Sequence, residues 1–303
     1  MLRWCRNAIA FSMALGSFFV ISYGGYEVEK LDNNHDRIVI FVHGTLPTLF
    51  GPLIRWADIP QGLNSTCTLK DRLVLSRIPH VLARAYINYG EDIPYEAFYM
   101  YGWSGSLCFH CREQEGKALY EIIKDYTGEI ILIGHSHGGN VALEAIKAAV
   151  DDGNENLNIT LVMLAVPIQK LTHEYVNASI VKKAFSFYSL SDRVQVLDPQ
   201  GAYLRCRQIY KGEQIPFFSG RFLPGYENLI QSRIIFHDRN LSHLGFMMPY
   251  FLRTLPEVLN VLENNAAFGD KVITRILRTG CAEIIEEKCS GCLRKKRWKV
   301  VSK

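Results

Sequence analysis

The sequence predicts an α/β fold built on a doubly wound, mainly parallel sheet, and three observations predict it. Short, continuous apolar runs such as Arg37–Val42 have the length and composition of strands buried on both faces. Between several of them lie stretches with helical spacing of apolar residues, so strand and helix alternate along the chain. The chain is also long enough, at 303 residues with 48% hydrophobic residues, to bury one large core.

Taken in order, the chain opens with Arg3 and Arg6 ahead of a charge-free run from Ala8 to Tyr23. Residues 1–25 read as an export signal or a short membrane anchor. The run is about 16 residues, short of the roughly 20 that a spanning helix needs. If it spans, the arginines hold the N-terminus inside and the rest of the chain lies across the membrane. Membrane association through the N-terminus, or export to a periplasmic, extracellular or lumenal space, is the expected localisation.

Residues 26–268 are expected to form the main domain. Its strands are Arg37–Val42, Ala97–Trp103, Glu129–Ile133, Ile159–Val166, Ala184–Leu190 and Arg233–Phe236. Helices are expected at Glu113–Tyr126, with Ala118, Leu119, Ile122 and Ile123 on one face, and at Asn140–Val150. Two segments, Pro47–Asn88 and Gly201–Leu229, break the alternation and read as cap-like insertions. Residues 269–303 read as a C-terminal helix, Asp270–Arg278, and a basic, cysteine-containing tail.

Charge excludes one function class. The net charge is only +4, and much of the excess sits at the two ends rather than in a stripe that could track a nucleic-acid backbone. No nucleic-acid partner is expected. Eight cysteines include two Cys-x-x-Cys pairs, Cys108/Cys111 and Cys289/Cys292, for which disulfides, free thiols and a structural zinc are all open readings.

The chemistry lies in Gly134-His135-Ser136-His137-Gly138-Gly139, preceded by an apolar strand and followed by a helical pattern. A Gly-x-Ser-x-Gly turn between strand and helix lifts the serine oxygen clear of the sheet, and its glycines remove side chains that would clash there. Ser136 is therefore the candidate nucleophile. A serine hydroxyl needs a histidine to take its proton and an acid to orient that histidine. Asp192, just past a strand end, is the candidate acid, with Asp198 as its rival. His243, in a loop after the last strand of the main domain, is the candidate base, with His237 as its rival. The oxyanion donors are expected to be the backbone N–H groups of His137 and Thr45, with Leu46 as the alternative to Thr45. His43 is expected to brace that loop, and His135 and the His137 ring to pack rather than bind metal.

These ordered motifs, His43-Gly44-Thr45, the Ser136 turn, Asp192 and His243, resemble the lipase and esterase branch of the α/β-hydrolases over roughly residues 37–250. The resemblance implies a sheet of the α/β-hydrolase type, a Ser-Asp-His triad, no cofactor and no metal. It also implies cleavage of a carboxylic ester through an acyl-enzyme. The aromatic insertions and the N-terminal segment point to a lipid or other apolar acyl substrate. Two alternatives stay open: an acyltransferase or thioesterase using the same triad, and a non-catalytic membrane- or partner-binding protein on a hydrolase scaffold.

Overall fold

The computed structural model describes residues 31, 33–45, 60–69, 75–200, 216–277 and 282–286. The N-terminal segment 1–25, Leu46, residues 47–59, 70–74 and 201–215 of the two expected insertions and the basic tail lie outside the described residues, as do Cys5, Cys206, Cys281, Cys289 and Cys292. Among the described residues, no helix is long and apolar enough to cross a membrane.

The described chain forms an α/β structure with a mixed, mostly parallel sheet of ten strands. The strands are β1 (Arg37–Val42), β2 (Gly62–Ser65), β3 (Phe98–Gly102), β4 (Glu129–His135), β5 (Asn158–Leu164), β6 (Val181–Tyr188), β7 (Leu229–Phe236), β8 (Arg239–Asn240), β9 (Lys271–Ile276) and β10 (Ala282–Glu286). Their order across the sheet is β10-β9-β7-β6-β5-β4-β1-β3-β2, with β8 paired to β7. From β3 through β9 neighbours run parallel, while β2, β8 and β10 are antiparallel additions.

The central strands are apolar along their whole length because both faces are covered. Ile38 to Val42 of β1 and Ile130, Leu132 and Ile133 of β4 are almost wholly buried. The covering helices are α1 (Arg77–Tyr89), α2 (Phe109–Ile123), α3 (His137–Asp151), α4 (Val194–Leu197), α5 (Pro249–Leu252) and α6 (Leu255–Asn265). All but the short α4 fall into two packed groups: α2 lies against α3, and α1 lies against α5 and α6. Helix α1 buries Ile78, Leu82 and Tyr86 and stops at Gly90, whose φ of 96° closes the helix in the left-handed region.

Two expectations are corrected. Residues 270–278, read as a helix, contain strand β9, and the sheet continues through β10, beyond residue 268. The reason is in the burial of Lys271–Ile276: Val272, Thr274 and Ile276 face inward and the residues between them do not. This is the period of two that suits a β-branched run. The segment Pro47–Asn88 is not only an insertion, for it supplies edge strand β2 and the sheet-packing helix α1.

The strand order reverses at one point. From β1 the chain moves outward to β3, then crosses back to β4 on the other side of β1. Such a reversal opens a crevice at the carboxyl ends of the two neighbouring strands, here β1 and β4, where ligands bind in open α/β sheets.

Candidate active site

The turn from β4 into α3 carries Ser136 into that crevice. Ser136 has φ 52° and ψ −132°, a strained conformation for a residue with a side chain, and it is held there from several sides. Its N–H donates to Leu164 O at the end of β5 (2.9 Å), and its carbonyl accepts from Gly139 N (3.0 Å). Gly138 is forced by close approach: a Cβ there would stand 2.2 Å from Val42 O and 2.4 Å from His43 O. Helix α3 therefore begins in direct contact with the end of β1.

The end of β1 reaches the same point from the other side. A Cβ on Gly44 would stand 2.8 Å from Ser136 Cβ, so the His43-Gly44-Thr45 loop lies against the serine turn. His43 braces it. Its Nδ1–H donates to Gly44 O (2.7 Å) and its Nε2 accepts from Trp103 N (3.2 Å), while the Trp103 indole N–H donates to His43 O (2.6 Å) and the two rings stack. Burial pushes His43 down to about 4, so it is a neutral strut. The N–H of His137 belongs to the first turn of α3, where backbone donors have no partner within the helix. Thr45 is buried, and Leu46 lies outside the described residues.

Asp192 and His243 come together from different strand ends. His243 Nδ1 lies 2.8 Å from Asp192 Oδ2, so the imidazole donates in the tautomer protonated on Nδ1. The other carboxylate oxygen accepts the N–H groups of Val194 (3.0 Å) and Gln195 (3.3 Å) at the start of α4, which fixes the carboxylate plane. Ser191 Oγ donates to Leu241 O (2.7 Å) and ties the acid loop to the histidine loop. Ser242 accepts from Gly245 N (3.2 Å) and caps the short turn that carries His243.

The histidine loop is held to the serine turn by His135, which sequence reasoning assigned only to packing. His135 Nε2–H donates to His243 O (3.0 Å), and the two rings lie 4.9 Å apart. The signal was its place beside Ser136, but a bond to a backbone carbonyl 108 residues away leaves no pattern in sequence. Burial, with the neighbouring His243 adding to it, holds His135 well below its usual range. Among the described residues, no hydrogen bond joins the Ser136 hydroxyl to the His243 imidazole.

The two rivals lie elsewhere. His237 and Asp238, with φ of 49° and 63°, form the two-residue turn between β7 and β8, and the His237 ring packs on Phe236. Asp198 is buried and accepts from His137 Nε2 (3.1 Å), from Gln169 Nε2 (3.1 Å) and from Ser219 Oγ (2.5 Å). Asn140 Nδ2 donates to His137 Nδ1 (3.3 Å), and fully buried Arg112 donates to Gln169 Oε1 (3.3 Å). Despite burial, which works the other way, His137 and the hydrogen bonds hold the Asp198 carboxyl far below the usual carboxylate range. Burial also lowers His137, so the pair is a neutral imidazole donating to a carboxylate.

Comparison of the chain with protein-family models, with curated proteins and with solved structures returns no significant match.

Proposed function

We propose that this protein is a serine hydrolase of the α/β-hydrolase type that cleaves a carboxylic ester through an acyl-enzyme. One observation carries the reading: Ser136, in a strained strand-to-helix turn at the reversal point of the sheet, shares that end of the sheet with an Asp192–His243 pair at 2.8 Å. In this reading His243 Nε2 takes the Ser136 proton as the oxygen attacks the acyl carbon. Asp192 holds the imidazole in the required tautomer and stabilises the imidazolium that forms. The N–H groups of His137 and Thr45 receive the oxyanion. The imidazole then returns the proton to the departing alcohol, and water, deprotonated by the same histidine, releases the acid. The serine-to-imidazole bond closes with substrate in place, as catalytic hydrogen bonds often tighten only in the complex.

An apolar acyl substrate is favoured by the surroundings of the pair. Leu190, Val194 and Leu197 lie near Asp192 in the chain and Leu244 follows His243; all four are at least 38% exposed. Exposed apolar side chains gathered in this way mark contact surfaces.

The test is labelling with a fluorophosphonate, alongside Ser136→Ala and His243→Ala, with short- and long-chain p-nitrophenyl esters assayed in parallel. Labelling and turnover that vanish in both variants support the reading, and preference for the long chain supports the apolar substrate. Folded wild-type protein that neither labels nor turns over either ester overturns it.

A further inference from the structure

The Cys108/Cys111 pair is absorbed by none of the chemistry above. Cys108 is the N-cap of the 15-residue helix α2, with extended backbone angles of −64° and 125°, and Cys111 is the third residue of that helix. N-cap and N3 are the two positions whose side chains reach toward each other in a capping box. Neither cysteine is in a disulfide, both are partly exposed, and the Cys111 thiol is hydrogen-bonded to the Cys108 thiol and to Ser106. Cys67, the other described cysteine, is an exposed free thiol.

We propose that Cys108 and Cys111 form a thiol–disulfide redox site that reacts with the disulfide of a low-molecular-weight thiol or a peptide. The turn that holds them is clamped at both ends, which keeps the two sulfurs together in the reduced state and lowers the cost of joining them. On one side Trp103 is bonded twice to His43. On the other, Arg112 donates to Leu107 O (2.7 Å) and to Gln169. Within the turn, Cys108 N donates to Ser106 Oγ (3.1 Å). Cys108 is the attacking thiol: its N-cap place sets it just outside the positive end of α2, while Cys111 sits within the first turn. Burial, with the neighbouring Cys108 thiol, pushes the Cys111 thiol up, as befits the group that waits protonated and resolves.

The steps balance. The Cys108 thiolate attacks one sulfur of the disulfide, forming a mixed disulfide as the bond between the two small-molecule sulfurs breaks; the departing thiolate takes a proton from water. Cys111 then gives its proton to solvent and attacks Cys108 Sγ, forming the intramolecular bond and expelling the second small thiol. The cysteine pair loses two electrons and two protons, and the small disulfide becomes two thiols.

The experiment uses the full chain equilibrated in mixtures of reduced and oxidised glutathione, quenched in acid, alkylated and digested with trypsin. Both cysteines fall in one tryptic peptide, residues 85–112, so the internal disulfide appears as that peptide lacking both alkyl groups and two hydrogens. The expected result is a reversible two-electron titration of this peptide while the Cys67 peptide acquires no internal partner. In Cys111→Ser, a glutathione mixed disulfide accumulates on Cys108 instead. Alkylation of both cysteines at every ratio, a stable mixed disulfide in the wild type, or linkage of either cysteine to a different one overturns the proposal. The wild-type titration decides without the variant, and none of these readouts depends on Ser136.

Discussion

His137 donates its Nε2–H to Asp198 Oδ1 at 3.1 Å inside the protein, so the residue that follows Ser136 has a carboxylate of its own. Asp192 serves His243, and Asp198 serves the turn that presents the His137 N–H. Two acid–imidazole pairs with different duties predict two different failures.

Asp192→Asn is expected to leave folding nearly intact and lower kcat by about 10⁴-fold, because the amide cannot hold the productive histidine tautomer. Steady-state ester hydrolysis with a matched thermal melt checks this. A loss of under about tenfold would remove Asp192 from the triad.

Asp198→Asn is expected to act first on stability. Its carboxylate is the shared acceptor for His137, Gln169 and Ser219, all buried, and hydrogen bonds to a charged group contribute about 1.5–3 kcal/mol each way they are measured. Urea unfolding at neutral pH should show a loss of about 2–3 kcal/mol. Esterase activity below the melting transition should fall far less than in Asp192→Asn.

The pH dependence of stability has two opposed contributions. His43, pushed down to about 4 by burial, is neutral in the fold where the unfolded chain takes a proton below about 6.5. Its contribution is therefore present above that value and lost as pH falls toward 4, by about 2 kcal/mol at pH 5. Glu144, pushed up to about 7 by burial, has the reverse sign: the fold keeps its proton where the unfolded chain releases it, so stability is lost as pH rises from about 4.5 to 7. Glu144→Gln should thus gain about 2–3 kcal/mol at pH 8 and under about 1 kcal/mol at pH 5. Chemical denaturation at the two pH values measures both, and an equal gain at each would refute the assignment.

Gly138→Ala is expected to cost at least about 3 kcal/mol, since the added carbon would meet two backbone oxygens that cannot rotate away. Expression yield and a thermal melt report it.

Trp103→Phe keeps a ring over His43 but removes the indole N–H bond to His43 O. A stability loss of about 1 kcal/mol is expected. Because His43 leads into Gly44 and Thr45, kcat should drop by about tenfold with little change in KM, as for an interaction felt mainly in the transition state.

The alternation of strands and helices from Arg37 to Phe236, and the strand-to-helix setting of Ser136, could be read in the sequence because local composition carries both. Asp192 and Asp198 could not be separated fully there, since the two carboxylates lie six residues apart after the same strand and local pattern does not say which imidazole either one meets. What separates them is which imidazole each meets, a contact spanning 51 residues in one case and 61 in the other. Strand β9 was misread because Val272, Ile273, Ile276 and Leu277 also satisfy helical spacing, and only the neighbouring β7 decides the period. His135 escaped notice as a brace for the same reason: its partner is a main-chain oxygen, and every residue has one.

The approach of Gly138 to the ends of β1 also bears on how this protein could change over generations. On the reading proposed above, a lineage that gave up ester chemistry would be free to exchange the hydroxyl of Ser136. It would not be free to exchange Gly138, on which the seating of a whole helix depends. Relatives with the glycine intact and the serine gone would be scaffolds turned to other work, whereas loss of the glycine would mark a chain that had ceased to fold this way.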